Sequence, residues 1–505
     1  MTSRCHGHRF DYTRRGFLKS LGACAALATA PRLVSAGDRS KKRRPNFVFI
    51  LIDDMGWRDV GFMGNAIIET PNLDRLARRG IVFTNAYANA PNCAPTRACL
   101  MSGQYPPRHG VYTVGDSTRG SKARHKLIPI PNREAMPTCV VTIAEALKPA
   151  GYTSACIGMW NLGRSRDREH TPLGQGFDVY LTPKDMGYSD KPPDSQKRST
   201  AGPSLGYFAN ARGRKGNRDP KPGEYLTDRL TDEAIEFMKR NRERSFFLYL
   251  AHHAVHRPHQ PKPELLAKHE KKPGNGGRYG ALYAAMVESV DQSVGRIMAA
   301  LDSLNLTDNT VVIFSSDNGG DTGAGVGSNA PLRGGKGMVY EGGIRVPTLL
   351  SYPHLVKRGR TCDTPVLSMD FYPTMLELAG VRNPTDHILD GESLVPLLNG
   401  TGSLKRDAIF FHFPCYLGKQ GPAGAIRQGD FKLIESFEDG RLELYNLERD
   451  IGEKSNLAQS MPKKARELRQ HLTAWRKSVK APVPTEPNPD YDPNARRGRG
   501  RRRRR

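Results

Sequence analysis

No stretch of the 505-residue chain offers the ~20 consecutive apolar residues that a bilayer-spanning helix needs, so no transmembrane anchor is expected. Cysteine is sparse and unpatterned: its eight positions, 5, 24, 93, 99, 139, 156, 362 and 415, show no tight spacing, which argues against a disulfide scaffold. No Cys-x-x-Cys pair occurs, and zinc is accordingly poorly supported. Acidic residues are outnumbered, 51 against 77 Lys and Arg, for a formal charge of +26. Half of that excess lies outside any fold, in residues 1–36 and in the eight arginines of the last ten residues. The remaining basic body suits anionic substrates, although charge alone does not separate these from nucleic acid or an acidic membrane. No specific nucleic-acid partner is expected, because the terminal Arg/Gly tail reads as a solvated, disordered charge run.

What the chain does contain starts with a targeting segment. Thr13-Arg14-Arg15-Gly16-Phe17-Leu18-Lys19 precedes a short apolar stretch at 21–30, and Val34-Ser35-Ala36 offers a small-residue cleavage site. The segment resembles a twin-arginine signal, which implies export after folding by the twin-arginine machinery, to the periplasm or the exterior. Cleavage at 36 is expected, with lipid attachment at Cys24 as the lesser alternative.

With 37% hydrophobic residues, the length allows a large core. After a basic linker at 37–44, the apolar, β-branched run 46–52 reads as a buried central strand of a parallel sheet. Further strands are expected at 153–157, 246–250 and 310–315, and amphipathic helices at 228–240 and 283–304. Thr70 with Pro71, and Thr142 ahead of a helix to 148, read as helix starts. This alternation predicts a doubly wound α/β fold with a mixed, mostly parallel sheet over 45–382, whose ligands gather beyond the carboxyl ends of the strands. From 383 to 480 the texture changes to a smaller antiparallel sheet, at 408–413, 425–434 and 441–445, with turns at Gly429-Asp430 and Asp439-Gly440 and a helix at 463–479. Residues 481–495 are Pro-rich and extended, and 496–505 form the tail.

Acidic and amide residues follow these strands: Asp53-Asp54 after the first, Asp317-Asn318 after 310–315, and Glu341 in the loop beyond. Adjacent buried carboxylates repel each other unless a cation or arginine neutralises them, and hard oxygen ligands favour Ca²⁺ or Mg²⁺ over zinc. Helix capping could use Asp53 or Asp317 singly but does not account for two doublets. Cys93 sits in a loop entering a helix, with Arg97 one turn on.

The run Cys93-Ala94-Pro95-Thr96-Arg97, with Ser102-Gly103 downstream, resembles the sulfatase signature of the formylglycine-dependent arylsulfatase type. Ordered matches follow from about Arg44 to Pro493: Met55-Gly56-Trp57, Thr70-Pro71-Asn72-Leu73-Asp74, Phe247-Leu248-Tyr249-Leu250 leading to His256-Arg257-Pro258, Asp317-Asn318-Gly319-Gly320, Pro331-Leu332-Arg333-Gly334-Gly335-Lys336, Ala425-Ile426-Arg427 and Glu443-Leu444-Tyr445-Asn446-Leu447. The resemblance implies an exported sulfatase in which a maturation enzyme converts Cys93 to formylglycine, whose hydrate attacks sulfur. It implies that Asp53, Asp54, Asp317 and Asn318, with the modified Cys93, bind Ca²⁺, with Mg²⁺ less favoured. Arg97 would hold the hydrate, His256 would contact the sulfate or protonate the leaving alcohol, and Lys336 would neutralise developing charge. The implied substrate is a sulfated small molecule or polysaccharide.

The pattern is broken in Ile157-Gly158-Met159-Trp160-Asn161-Leu162-Gly163, where Met159 stands in place of a sulfate-binding Lys and Asn161 in place of a His. Asparagine can hydrogen-bond but cannot take a proton at neutral pH. Three readings follow: a sulfatase of altered substrate choice with charge restored by Arg164, Arg166 or His170; a phosphate or phosphonate ester hydrolase; or an impaired relative that binds sulfated glycans. If Asn161 limits the rate, Asn161→His, alone or with Met159→Lys, should raise turnover of a small aryl sulfate. Substrate choice is expected to lie in the loop 187–206 and in the small sheet, where His412 and Lys419 could face the cleft.

Overall fold

The apolar run after the basic linker forms β1 (Asn46–Ile52), and all seven of its residues are buried. Burial on both faces is what such a run requires, since an exposed face would alternate with polar residues. This computed structural model describes residues 43–163, 167–183, 188, 207, 221, 223–274, 278–322, 329–356, 359–417 and 420–495. The expected export leader, Arg164, Arg166, Lys419, nearly all of the loop 187–206 and the arginine tail lie outside the described residues.

The strands that follow are β2 (Ile81–Phe83), β3 (Ala86–Tyr87), β4 (Thr153–Gly158), β5 (Val179–Leu181), β6 (Phe246–Ala251), β7 (Thr310–Ser316), β8 (Thr348–Ser351), β9 (Arg360–Cys362) and β10 (Val366–Leu367). Eight of them form one sheet in the order β5-β4-β6-β1-β7-β8-β2-β9, while β3 pairs with β10. β1 lies parallel to both β6 and β7, and β4 parallel to β5 and β6. β8 runs against its neighbours β7 and β2. The fold is therefore α/β with a mixed, mostly parallel sheet.

The pleat of β1 divides the core. Val48, Ile50 and Ile52 face helices Leu226–Arg240 and Arg278–Ser303, whereas Phe47, Phe49 and Leu51 face helices Ile143–Leu147 and Phe371–Ala379. Thr142 starts its helix with a capping box: its hydroxyl accepts from Glu145 N–H, and the Glu145 carboxylate accepts from Thr142 N–H. Thr70 behaves differently. Its hydroxyl accepts from Gly61 N–H at 2.7 Å and donates to Asp74, and the free N–H groups of Asn72 and Leu73 are met instead by Asp291 of the long helix.

The second sheet is β11 (Ala408–Phe413), β12 (Ala423–Gln428), β13 (Phe431–Ser436) and β14 (Leu442–Asn446), antiparallel in that order. β12 and β13 meet around Gly429-Asp430, where Gly429 has φ 58°, a left-handed value that suits a two-residue hairpin. Helix Pro462–Ser478 packs Leu468, Leu472 and Trp475 on this sheet, and Trp475 stacks on Phe410 at 4.8 Å between ring centroids. Trp475 also meets Tyr105 edge-on, which seats the small sheet behind the Cys93 helix. His412 does not face a cleft. It is buried in this core, its Nε2 2.8 Å from the Pro482 carbonyl, because a tightly packed layer covers that side of β11. Residues beyond the helix run back along the large unit, with Ile128 N–H donating to Glu486 O and Asn488 N–H to Lys126 O.

Candidate active site

Parallel pairing delivers four strand ends to one edge. Ile52 is registered with Ser316, so Asp53-Asp54 and Asp317-Asn318 leave β1 and β7 side by side. Backbone bonds continue the ladder past the strands: Asp317 N–H to Ile52 O, Asp53 N–H to Ala254 O, and Met159 N–H to Ala251 O. The close approach of β4 to β6 requires glycine at 158, where φ is 110° and a Cβ would lie 1.9 Å from Ala251 O.

Cys93 opens the helix Cys93–Ser102, all of which is buried, and its Sγ lies 3.4 Å from Asp53 Oδ1. Asp53, Asp54, Cys93 and Asp317 each offer an atom within 4.8 Å of the others. Arg97, one turn along, is fully buried; Nε and Nη2 donate to Asp317 Oδ2 at 2.9 and 2.7 Å, and Nη2 reaches Asp53 Oδ2 at 3.2 Å. Asp54 Oδ1 accepts from Lys336 Nζ at 2.6 Å and from Asn318 Nδ2 at 2.7 Å, and His256 Nε2 stands 3.7 Å from Asp54 Oδ2. Asp53, Asp54, Cys93, Arg97, His256, Asp317, Asn318 and Lys336 therefore converge, and Met159 reaches Arg97 through its carbonyl, whereas Glu341 does not join them.

The electrostatics show what this cluster is missing. Three buried carboxylates face two fixed cations, Arg97 and Lys336. Burial and the adjacent Asp53 push Asp317 upward, whereas Asp53, despite its burial, is held low by His256 and Arg97. Burial opposes the charge on Lys336 too, yet Asp54 and its neighbours hold it well above the usual range. Asp54 Oδ2 and Asn318 Oδ1 are buried with no hydrogen-bond partner. Buried oxygens left in this way, next to surplus negative charge, fit a hard divalent cation. Burial, with Asp317 and Asp53, raises the Cys93 thiol far above its ordinary value.

Glu341 is not part of the cluster. It accepts from Lys432 Nζ at 2.9 Å and from the Tyr87 hydroxyl at 2.8 Å, and its N–H donates to Glu453; Lys432, from β13, is also 2.9 Å from Glu453. The segment it anchors bonds to the site loop, Gly319 N–H to Gly343 O and Lys336 N–H to Gly320 O. Its partners occupy the carboxylate fully, so Glu341 braces the loop instead of serving a cation.

Met159 packs its side chain partly into the core and offers its carbonyl to Arg97 Nη1 at 2.8 Å. Asn161 has φ 58°, a left-handed conformation in which Asn is favoured. His170 turns its Nδ1 to the Met136 carbonyl, 3.1 Å away. Sequence reasoning passed over His253, buried beside His256, and Tyr249, whose hydroxyl lies 3.5 Å from Arg97 Nη1. The doublet His252-His253 at the end of β6 was the available signal.

Two family models match the chain: Sulfatase over residues 45–381, and N-sulphoglucosamine sulphohydrolase, C-terminal, over 335–478. A sulfatase of Formosa agariphila is 33% identical, covering 90% of this chain and 93% of its own length. Human N-acetylgalactosamine-6-sulfatase is 36% identical over 73% of this chain and 68% of its own. Among solved structures, Ps i-CgsB in complex with k-i-k-neocarrahexaose superposes with a TM-score of 0.70 at 31% identity, covering 86% of this chain and 93% of that one. A phosphonate monoester hydrolase of Agrobacterium radiobacter, at 21% identity and a TM-score of 0.64, shares the fold. With the family model spanning most of the chain, and the matching relatives doing the same, this chain belongs to the sulfatase family of sulfuric ester hydrolases.

Proposed function

We propose that the protein is an exported sulfatase that removes sulfate esters from a sulfated glycan, using formylglycine made from Cys93 and a bound Ca²⁺, with Mg²⁺ the less favoured ion. The observation that carries this reading is the pair of buried oxygens without a hydrogen bond, Asp54 Oδ2 and Asn318 Oδ1, in a carboxylate cluster around Cys93. Asp53, Asp54, Asp317 and Asn318 would hold the cation, which would polarise the sulfate oxygens. A formylglycine hydrate would supply a geminal diol, one hydroxyl attacking sulfur and the other later releasing sulfate. Arg97 bonds Asp53 and Asp317 and would orient the group at position 93. Lys336 would balance charge on the nonbridging oxygens, and His256, the most exposed of these groups, would protonate the leaving alcohol.

A glycan substrate is supported by the oligosaccharide in the Ps i-CgsB complex. Export to the periplasm or exterior, and the partners it needs, a maturation enzyme and the twin-arginine machinery, rest on Arg14-Arg15 and on Cys93.

The test compares 4-nitrophenyl sulfate with 4-nitrophenyl phosphate, and weighs the tryptic peptide spanning Cys93. An aldehyde mass is expected, with sulfate turnover at least about tenfold above phosphate, lost on chelation and restored by Ca²⁺. An intact thiol in protein from its own host, or phosphate turnover above sulfate, would overturn the proposal. No turnover of either would leave glycan binding as the function.

A further inference from the structure

We infer that His253 is a catalytic residue of the sulfate-ester site, supplying the proton-accepting imidazole that this chain lacks at Asn161. The inference rests on the proposed sulfatase reading. His253 is 4% exposed, and among the described residues it is the buried histidine with neither ring nitrogen hydrogen-bonded. Other buried histidines have protein partners: His252 meets Ser293, His387 meets Ser102 O, and His412 meets Pro482 O. An imidazole buried without a partner destabilises the resting protein, which makes such a group a candidate for a bond formed only with a ligand.

Its surroundings fix where that bond would be made. The ring lies between Tyr207, 5.2 Å away and near parallel, and His256, 5.1 Å away. The Tyr207 hydroxyl donates to the carbonyls of both His253 and His256, clamping the turn that carries them. Burial and the neighbouring His256 lower the His253 imidazole while Asp53 opposes them, and His256, Asp53, Lys336 and Arg97 all belong to the site. Gly158 of β4 is registered with Ala251 of β6, so the strand ends carrying Asn161 and His253 emerge side by side. In this assignment an imidazole from β6 would serve the nucleophile in place of one from β4. As the hydroxyl at position 93 bonds to sulfur, its proton passes to a ring nitrogen of His253. The bond from sulfur to the alcohol oxygen breaks with its electron pair on that oxygen, which takes a proton from His256. Exchange with water resets both rings.

The experiment uses the full-length mature protein and 4-nitrophenyl sulfate. His253→Asn should lower kcat by about 10²–10⁴-fold, with KM little changed. Its calcium content and position-93 aldehyde should match wild type, which separates a chemical role from a structural one. Asn161→His in that background should recover at least about tenfold, because it returns an imidazole to the neighbouring strand end. A wild-type kcat in His253→Asn, loss of calcium or aldehyde along with activity, or no recovery in the double variant would each overturn the assignment. An inactive wild type would instead remove the parent reading and this one together.

Discussion

Cys93→Ala protein should lose aryl-sulfate turnover by on the order of 10⁶-fold, the size of effect seen when a nucleophile is removed. It should remain folded, since Cys93 contributes one small side chain at the start of a helix whose remaining residues keep their own burial. Most of the cation's donors also remain, in Asp53, Asp54, Asp317 and Asn318, so calcium should bind more weakly but still bind. Cys93→Ser sharpens the test. A serine hydroxyl can attack sulfur but has no geminal partner to expel the sulfate afterwards, so this variant should release about one alcohol per chain and stop, a burst readable by stopped-flow absorbance. Repeated turnover in Cys93→Ser would show that the second hydroxyl is not needed.

Lys432→Met should destabilise the protein by about 3–5 kcal/mol, the range for removing one partner of a buried ion pair. Lys432, Glu341 and Glu453 are all wholly buried, and Lys432 holds both carboxylates at 2.9 Å. Burial and the nearby Glu341 push Glu453 up to about 7, whereas Lys432 and Arg345 hold Glu341 low in spite of its burial, so the lysine keeps one shared negative charge tolerable. Without it, Glu341 keeps Arg345 and Tyr87, but Glu453 keeps only the Glu341 N–H and no cation. The predicted drop in thermal midpoint should be partly reversed by Glu453→Gln in the same chain, which removes the less well paired charge. Activity should fall more steeply with temperature than in wild type, because the braced segment carries Lys336. An unchanged midpoint would show that the brace is dispensable.

Much of this arrangement is legible in local sequence. The run 46–52 can satisfy burial on both faces only as a central strand, and the doublets Asp53-Asp54 and Asp317-Asn318 stand where parallel strands place ligands. Glu341 looked equivalent because it too follows a strand, yet its partner Lys432 lies in another sheet, and no spacing rule links the two. His412 alternates along β11 as a cleft-facing residue could; only the packing of Trp475, Tyr112 and Phe437 around it puts it in the core. His253 is the converse case. Its sequence neighbours say nothing of its ring nitrogens, and the missing hydrogen bonds that mark it exist only once β6, the Tyr207 clamp and His256 have come together.

The burial of Cys93, 3% exposed within a wholly enclosed helix, also sets a clock. If Cys93 is converted as proposed, the converting enzyme would have to reach it before this helix is enclosed. Closure waits for β7, the strand whose end carries Asp317, because β1 and Arg97 have no complete partner until it is made. At ribosomal speeds of about 5–20 residues per second, the interval between synthesis of Cys93 and of Asp317 is roughly 10–45 s. On the proposed maturation and export, the long sequence separation between the halves of the site would keep that window open, and the window would fall before a folded chain is exported.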